Sequence, residues 1–182
     1  MSEYRKYKEL IKIEVYLNQK CSLLKKIQHK YFTPNTNVVY LIRRQQLFWN
    51  LKGLFRLYSK LIYLKIYRKY NCCVFPDAII GKGLHIHHPI GIVIGHCNIG
   101  DNFTIMQNCT IGEKNIGEYS RNRTGPKIGN NVTIGVNSCI LGAVSITNNV
   151  VIGANSVVNK SVNESGIYAG TPIKFLSKYD KG

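Results

Sequence analysis

The sequence predicts a mainly β chain, a coil of short strands turning at regular corners, preceded by an α-helical arm. Three observations carry this reading. From Val74 onward aliphatic residues return every six positions; glycine follows many of them; and before that point apolar residues recur at three- and four-residue steps among many lysines and arginines. With 182 residues, 45% of them hydrophobic and 19% charged, the chain can bury an ordinary core and is neither disordered nor collagen-like.

The arm, residues 1–72, holds most of the charge. The whole chain has 25 Lys and Arg against 9 Asp and Glu, a formal +16. Residues 1–76 carry 16 of those cations and only 3 glutamates. Such an excess points to an anionic partner: nucleic acid, a membrane surface or a phosphorylated substrate. No acidic residue stands between Glu14 and Asp77, so the cations between them face solvent, an anion or carboxylates from elsewhere.

Tyr4 to about Phe32 reads as helix, and Thr33-Pro34-Asn35 as a break followed by a new helix. In that second stretch Leu47, Leu51, Leu54, Tyr58, Leu61 and Ile62 make one apolar face, and Lys52, Arg56 and Lys60 a basic row. Such a helix either packs on the body or a sister subunit with its basic face solvated, or lies on an anionic membrane surface. No apolar run approaches the roughly 20 residues that cross a bilayer. The first residues are too polar for an export signal, and Cys21, Cys72, Cys73, Cys97, Cys109 and Cys139 show no CxxC or zinc-ligand spacing. Reduced thiols and a cytoplasmic location are expected, with peripheral contact at the inner membrane face as the furthest extension.

The coil is expected over residues 73–165. Its aliphatic positions are Val74, Ile80 and Ile86, then in shifted phase Val93, Ile99, Ile105 and Ile111, and again Ile128, Ile134, Ile140, Ile146, Ile152 and Val158. A period of six fits neither helix nor plain alternation; it fits flat strands with a corner every sixth residue. Glycines such as Gly81, Gly100, Gly129, Gly135 and Gly153 suit the corners, as do Asn98, Asn130, Asn131, Asn148, Asn149 and Asn155. The polar run Glu113 to Lys127 breaks the phase and reads as a projecting loop; residues 166–182 read as a tail.

Five stretches then carry a resemblance: Ile80-Gly81-Lys82-Gly83-Leu84, Ile86-His87-His88-Pro89-Ile90-Gly91-Ile92-Val93-Ile94-Gly95, Thr110-Ile111-Gly112, Pro126-Lys127-Ile128-Gly129 and Tyr168-Ala169-Gly170-Thr171-Pro172-Ile173-Lys174. Over residues 70 to 176 the chain resembles the hexapeptide-repeat acyltransferases, in the branch of serine acetyltransferases and polysaccharide (capsule or lipopolysaccharide) O-acetyltransferases. The resemblance implies a left-handed parallel β-helix, a homotrimer or dimer of trimers, acetyl-CoA as donor between neighbouring coils, and no metal. It places the general base on His88, as befits an imidazole that takes a proton from a weakly nucleophilic hydroxyl at neutral pH. For acetyl-CoA it points to Gly112, Gly135, Val136 and Ala154, with Lys160 and Lys174 near the phosphates; corner glycine N–H groups are expected to hold the oxyanion. A zinc site built on His85, His87, His88 and His96 is the lesser reading of the histidines.

Serine acetyltransferases carry Asp where His87 stands, an Arg-His pair where Thr124-Gly125 stand, and a second aspartate where Cys73 stands. The short basic arm is expected to mark the polysaccharide branch. The expectation is therefore transfer to a sugar hydroxyl, with His87, Arg121 and Arg123 at the acceptor. Serine O-acetylation is the alternative, and a trimeric nucleic-acid-binding scaffold the reading outside enzymes. No recognisable nucleic-acid motif accompanies the charge, so no nucleic acid is expected as partner.

Overall fold

The computed structural model describes residues 2–16, 22–113 and 125–178. Cys21, Arg121, Arg123 and Thr124, and most of the projecting loop, lie outside them.

The arm contains α1 (Glu3–Glu14), capped by the Ser2 hydroxyl, and α2 (Leu23–Ile27), which runs into a π-helical turn over Gln28–Phe32. Two longer helices follow, α3 (Pro34–Asn50) and α4 (Phe55–Tyr70). Pro34 starts α3 at a position where its missing N–H costs nothing. Asn71, at φ 51°, ends α4.

The continuous second helix expected from sequence is broken at Lys52 and Gly53, both at positive φ. Two expectations change as a result. Leu47 is buried on α3, whereas Ile62, Ile66 and Tyr70 are the buried side of α4, leaving Leu54 and Leu61 outside. The basic row also dissolves: Lys52 sits in the turn, and the Arg56 guanidinium lies 4.6 Å from the Trp49 ring centre.

After Cys72 the chain winds into a three-sided prism whose strands run parallel from coil to coil. The first face stacks β1 (Cys73–Val74), β4 (Val93–Ile94), β7 (Thr110–Gly112), β10 (Cys139–Leu141) and β13 (Val157–Val158). The second holds β2 (Ile79–Ile80), β5 (Asn98–Ile99), β8 (Lys127–Ile128) and β11 (Ser145–Ile146). The third holds β3 (His85–Ile86), β6 (Thr104–Ile105), β9 (Thr133–Ile134), β12 (Val150–Ile152) and β14 (Gly166–Ala169), closed by antiparallel β15 (Lys174–Ser177). Thus β14, expected in the tail, is still part of the coil.

One aliphatic side chain per strand fills the prism: Ile94, Ile111 and Ile140 are fully buried on the first face, Ile105, Ile134 and Ile152 on the third. Ile94 rather than Val93 points inward, because the corner Gly95 to Cys97 is one residue shorter than the one after it and counting back six from Ile99 misses by one. At the edge between the second and third faces, Asn102, Asn131 and Asn149 all have φ near 55° and bond one another in a ladder of 3.0 Å amide contacts. Asn98, expected at a corner, lies in β5 instead.

A buried ion pair joins arm and prism. Arg43 of α3 meets Glu14 of α1 at 2.6 Å and donates to the Ile80 and Gly81 carbonyls of the first coil. Glu14 in turn accepts the Gly83 and Leu84 N–H groups, so the last glutamate before the long basic stretch neutralises a cation within it.

Candidate active site

His87 and His88 occupy the edge between the third and first faces, directly after β3. The β3 backbone is fixed below by the β6 ladder, with His85 N–H on the Phe103 carbonyl, and at its start by Glu14 on Gly83 and Leu84. The His85 and His87 rings lie 4.3 Å apart, and His87 and His88 6.4 Å apart. Partial burial, and after it the neighbouring His87, hold the His85 imidazole below its ordinary range. His88 is exposed, and no described side chain hydrogen-bonds its ring.

Asp77 faces His96, with 3.4 Å between Oδ2 and Nδ1, and not His88. Next to that pair, burial and the Asp77 charge push the Cys97 thiol up to about 12, so it is an inert thiol. Cys73 packs under α4, where its thiol meets the Tyr63 hydroxyl. Among the described residues no cluster of three or more His, Cys, Asp or Glu has the geometry of a metal site.

The coils divide the donor candidates between two edges. Gly135 and Val136 follow β9, and Gly153 and Ala154 follow β12, so they stack on the same edge as His88. Lys174 opens β15, opposite Ala169 at the end of this edge. Gly112 ends β7 and Lys160 follows β13, which places both on the next edge, between the first and second faces. A β-carbon on Gly112 would project into open space, whereas one on Gly135 would lie 2.8 Å from the Ala154 nitrogen. Gly135 is therefore small for the sake of coil-to-coil packing, a role the sequence reading did not separate from donor binding.

Six of the corner glycines have no N–H group free for an oxyanion. The N–H groups of Gly81, Gly95, Gly100, Gly129, Gly135 and Gly153 each donate to a carbonyl of the adjacent coil. Gly125, where the Arg-His pair ends in serine acetyltransferases, lies so tightly against the His96 carbonyl that its backbone admits no side chain. Three hollows of about 570, 410 and 370 Å³ lie over the second face, between α1 and α3, and beside His96; His88 lines none of them. His88 thus stands on an open edge.

This prism is a hexapeptide-repeat left-handed parallel β-helix. Residues 125–160 match the family model described as bacterial transferase hexapeptide (six repeats). The chain is similar to serine acetyltransferase 1, chloroplastic, of Arabidopsis thaliana, 40% identical over 133 residues that cover 69% of this chain and 41% of that protein. It spans less than half the length of that curated relative. Among solved structures, the serine acetyltransferase of Neisseria gonorrhoeae superposes with a TM-score of 0.79 at 23% identity, covering 98% of this chain and 69% of its own. A serine acetyltransferase in complex with CoA superposes at 0.77 and 22% identity, covering 96% and 72%.

These findings overturn the sugar acceptor. The relatives 40% identical to the chain are serine acetyltransferases, and the fold of the Neisseria protein covers nearly the whole chain, the helical arm included. An arm of this shape therefore does not set the chain apart from the serine acetyltransferase fold.

Proposed function

We propose that the protein transfers acetyl from acetyl-CoA directly to the hydroxyl of serine, with His88 as general base. The observation that carries the reading is the 40% identity to a serine acetyltransferase across 69% of the chain, since any stretch that long contains His88. The exposed position of His88 at the end of a strand fixed by Glu14 and the β6 ladder supports it. Acetyl-CoA, when bound, supplies a thioester whose carbonyl carbon accepts the hydroxyl oxygen. His88 takes the hydroxyl proton as the oxygen attacks and returns it to the departing sulfur. One base and two bound substrates suffice, without an acyl-enzyme.

Gly112, Gly135, Val136 and Ala154 fit the donor's narrow arm because they present little or no side chain along the edges, and Lys160 and Lys174 suit its phosphates. Gly112 and Lys160 lie one edge away from His88, and the His88 edge lacks a second wall. In a homotrimer, alone or paired into a dimer of trimers, the neighbour's Gly112 edge would supply that wall. His87 stands where a carboxylate would hold the serine ammonium, so serine binding is expected to be weak while chemistry is retained. Cytoplasmic location belongs to the same proposal.

The test is an acceptor panel. Thiol release from acetyl-CoA is followed with L-serine, L-threonine, and a set of free sugars and polysaccharides, with O-acetylserine identified by mass spectrometry. Serine should give the highest specificity constant; a higher value for any sugar would sink the proposal.

A further inference from the structure

The outward face of α4 is apolar in a region of one charge sign. Leu54, Leu57, Leu61 and Leu64 follow three- and four-residue steps and are 89%, 61%, 55% and 43% exposed. They lie on the side of the helix opposite the buried Ser59, Ile62, Ile66 and Tyr70. Lys60 and Lys65 flank this leucine stripe on either side, and Arg68 continues it at the C-terminal end. All three are exposed and none has an ion-pair partner among the described residues. Tyr58 and Tyr67, also exposed, border the stripe and carry polar tips on apolar rings.

From these observations we infer that the outward face of α4 is a docking surface for an anionic lipid bilayer, with the four leucines entering the headgroup boundary and Lys60, Lys65 and Arg68 meeting lipid phosphates. No helix among the described residues is long and apolar enough to cross a membrane, so the contact is peripheral. Charge decides the occupant. A second copy packed face to face would bring six cations together around the leucines. The nearest acidic residues in sequence, Glu14 and Asp77, are already engaged with Arg43 and His96. A nucleic acid would use the cations but leave the leucine stripe in water, whereas an anionic bilayer satisfies both. This inference is independent of the acceptor.

The test is flotation of the full chain with phosphatidylcholine vesicles, with and without 30% phosphatidylglycerol, at low and physiological salt. Each basic side chain at an anionic surface contributes about fivefold in partitioning, so K60Q/K65Q/R68Q should lose about 100-fold. L57S/L61S, which touches no cation, should lose at least tenfold. Circular dichroism confirms folding of both variants, and light scattering follows their oligomeric state. Wild-type protein that ignores anionic vesicles at low salt overturns the inference, as does an L57S/L61S variant that still floats like wild type. Loss of an oligomer in L57S/L61S with vesicle binding unchanged overturns it too, and assigns the face to a second copy.

Discussion

Removing the Glu14 carboxylate tests how the arm holds the histidine strand. In Glu14→Ala, Arg43 stays buried, with a side chain only 2% exposed, and loses two charge-assisted contacts of 2.7 and 2.6 Å. The Gly83 and Leu84 N–H groups lose their acceptor, at 2.9 and 3.0 Å, in the same step. Breaking one side of a buried ion pair costs about 3–5 kcal/mol, and each orphaned buried donor about 1–3 kcal/mol, overlapping contributions that place the loss near the upper end, about 4–5 kcal/mol. Glu14→Leu with Arg43→Met removes the unpaired charge but leaves four backbone groups of the first coil without partners, so it should recover only part of the loss. Urea denaturation of wild type, Glu14→Leu, Arg43→Met and their double variant at fixed protein concentration, with Glu14→Ala alongside, gives the coupling. A loss under about 1 kcal/mol for Glu14→Ala, or strict additivity of the two sites, would refute the buried tie.

Gly135→Ala should destabilise the protein by about 1–3 kcal/mol, because its β-carbon would meet backbone at 2.8 Å, while Gly112→Ala should leave thermal stability unchanged and raise the KM for acetyl-CoA. Equal stability losses at the two sites would contradict the packing described. Asn131→Ala should cost about 2 kcal/mol in thermal or urea denaturation, since it forces alanine to φ 56° and breaks the ladder to Asn102 and Asn149; Asn131→Gly, which tolerates that angle, should cost less. His87→Asp should lower the KM for serine by about tenfold with kcat little changed, by pairing a carboxylate with the substrate ammonium, and an unchanged KM would remove position 87 from the acceptor site.

The coil was legible because each strand from β1 to β13 turns an aliphatic residue inward and many corners carry glycine or left-handed asparagine, so both constraints surface in the sequence at one period. The inward position moves from Val93 to Ile94 for a local reason: the Gly95–Cys97 corner is one residue short, so Ile94 stands five rather than six positions before Ile99. Asn102, Asn108 and Asn137 are further left-handed corners of the same kind. The break at Lys52 and Gly53 was hidden because the apolar spacing continues across it; Gly53 was its one visible signal. The Arg43–Glu14 tie was out of reach, since nothing in a single sequence pairs residues 29 positions apart. At the site, the flanking motif points to His88 as the candidate base, and the division of the donor candidates between two edges appears only once the strands are assigned to faces.

The measurement closest to the central claim is turnover of purified wild type and His88→Ala side by side, with acetyl-CoA and saturating L-serine, read as O-acetylserine formed. His88 is exposed and not part of the buried core, so the variant should keep its circular dichroism and its binding of CoA by calorimetry. Its turnover should fall by about 100-fold to 10,000-fold. Wild type that forms no O-acetylserine, or a folded, CoA-binding variant that turns over as fast as wild type, would contradict the account.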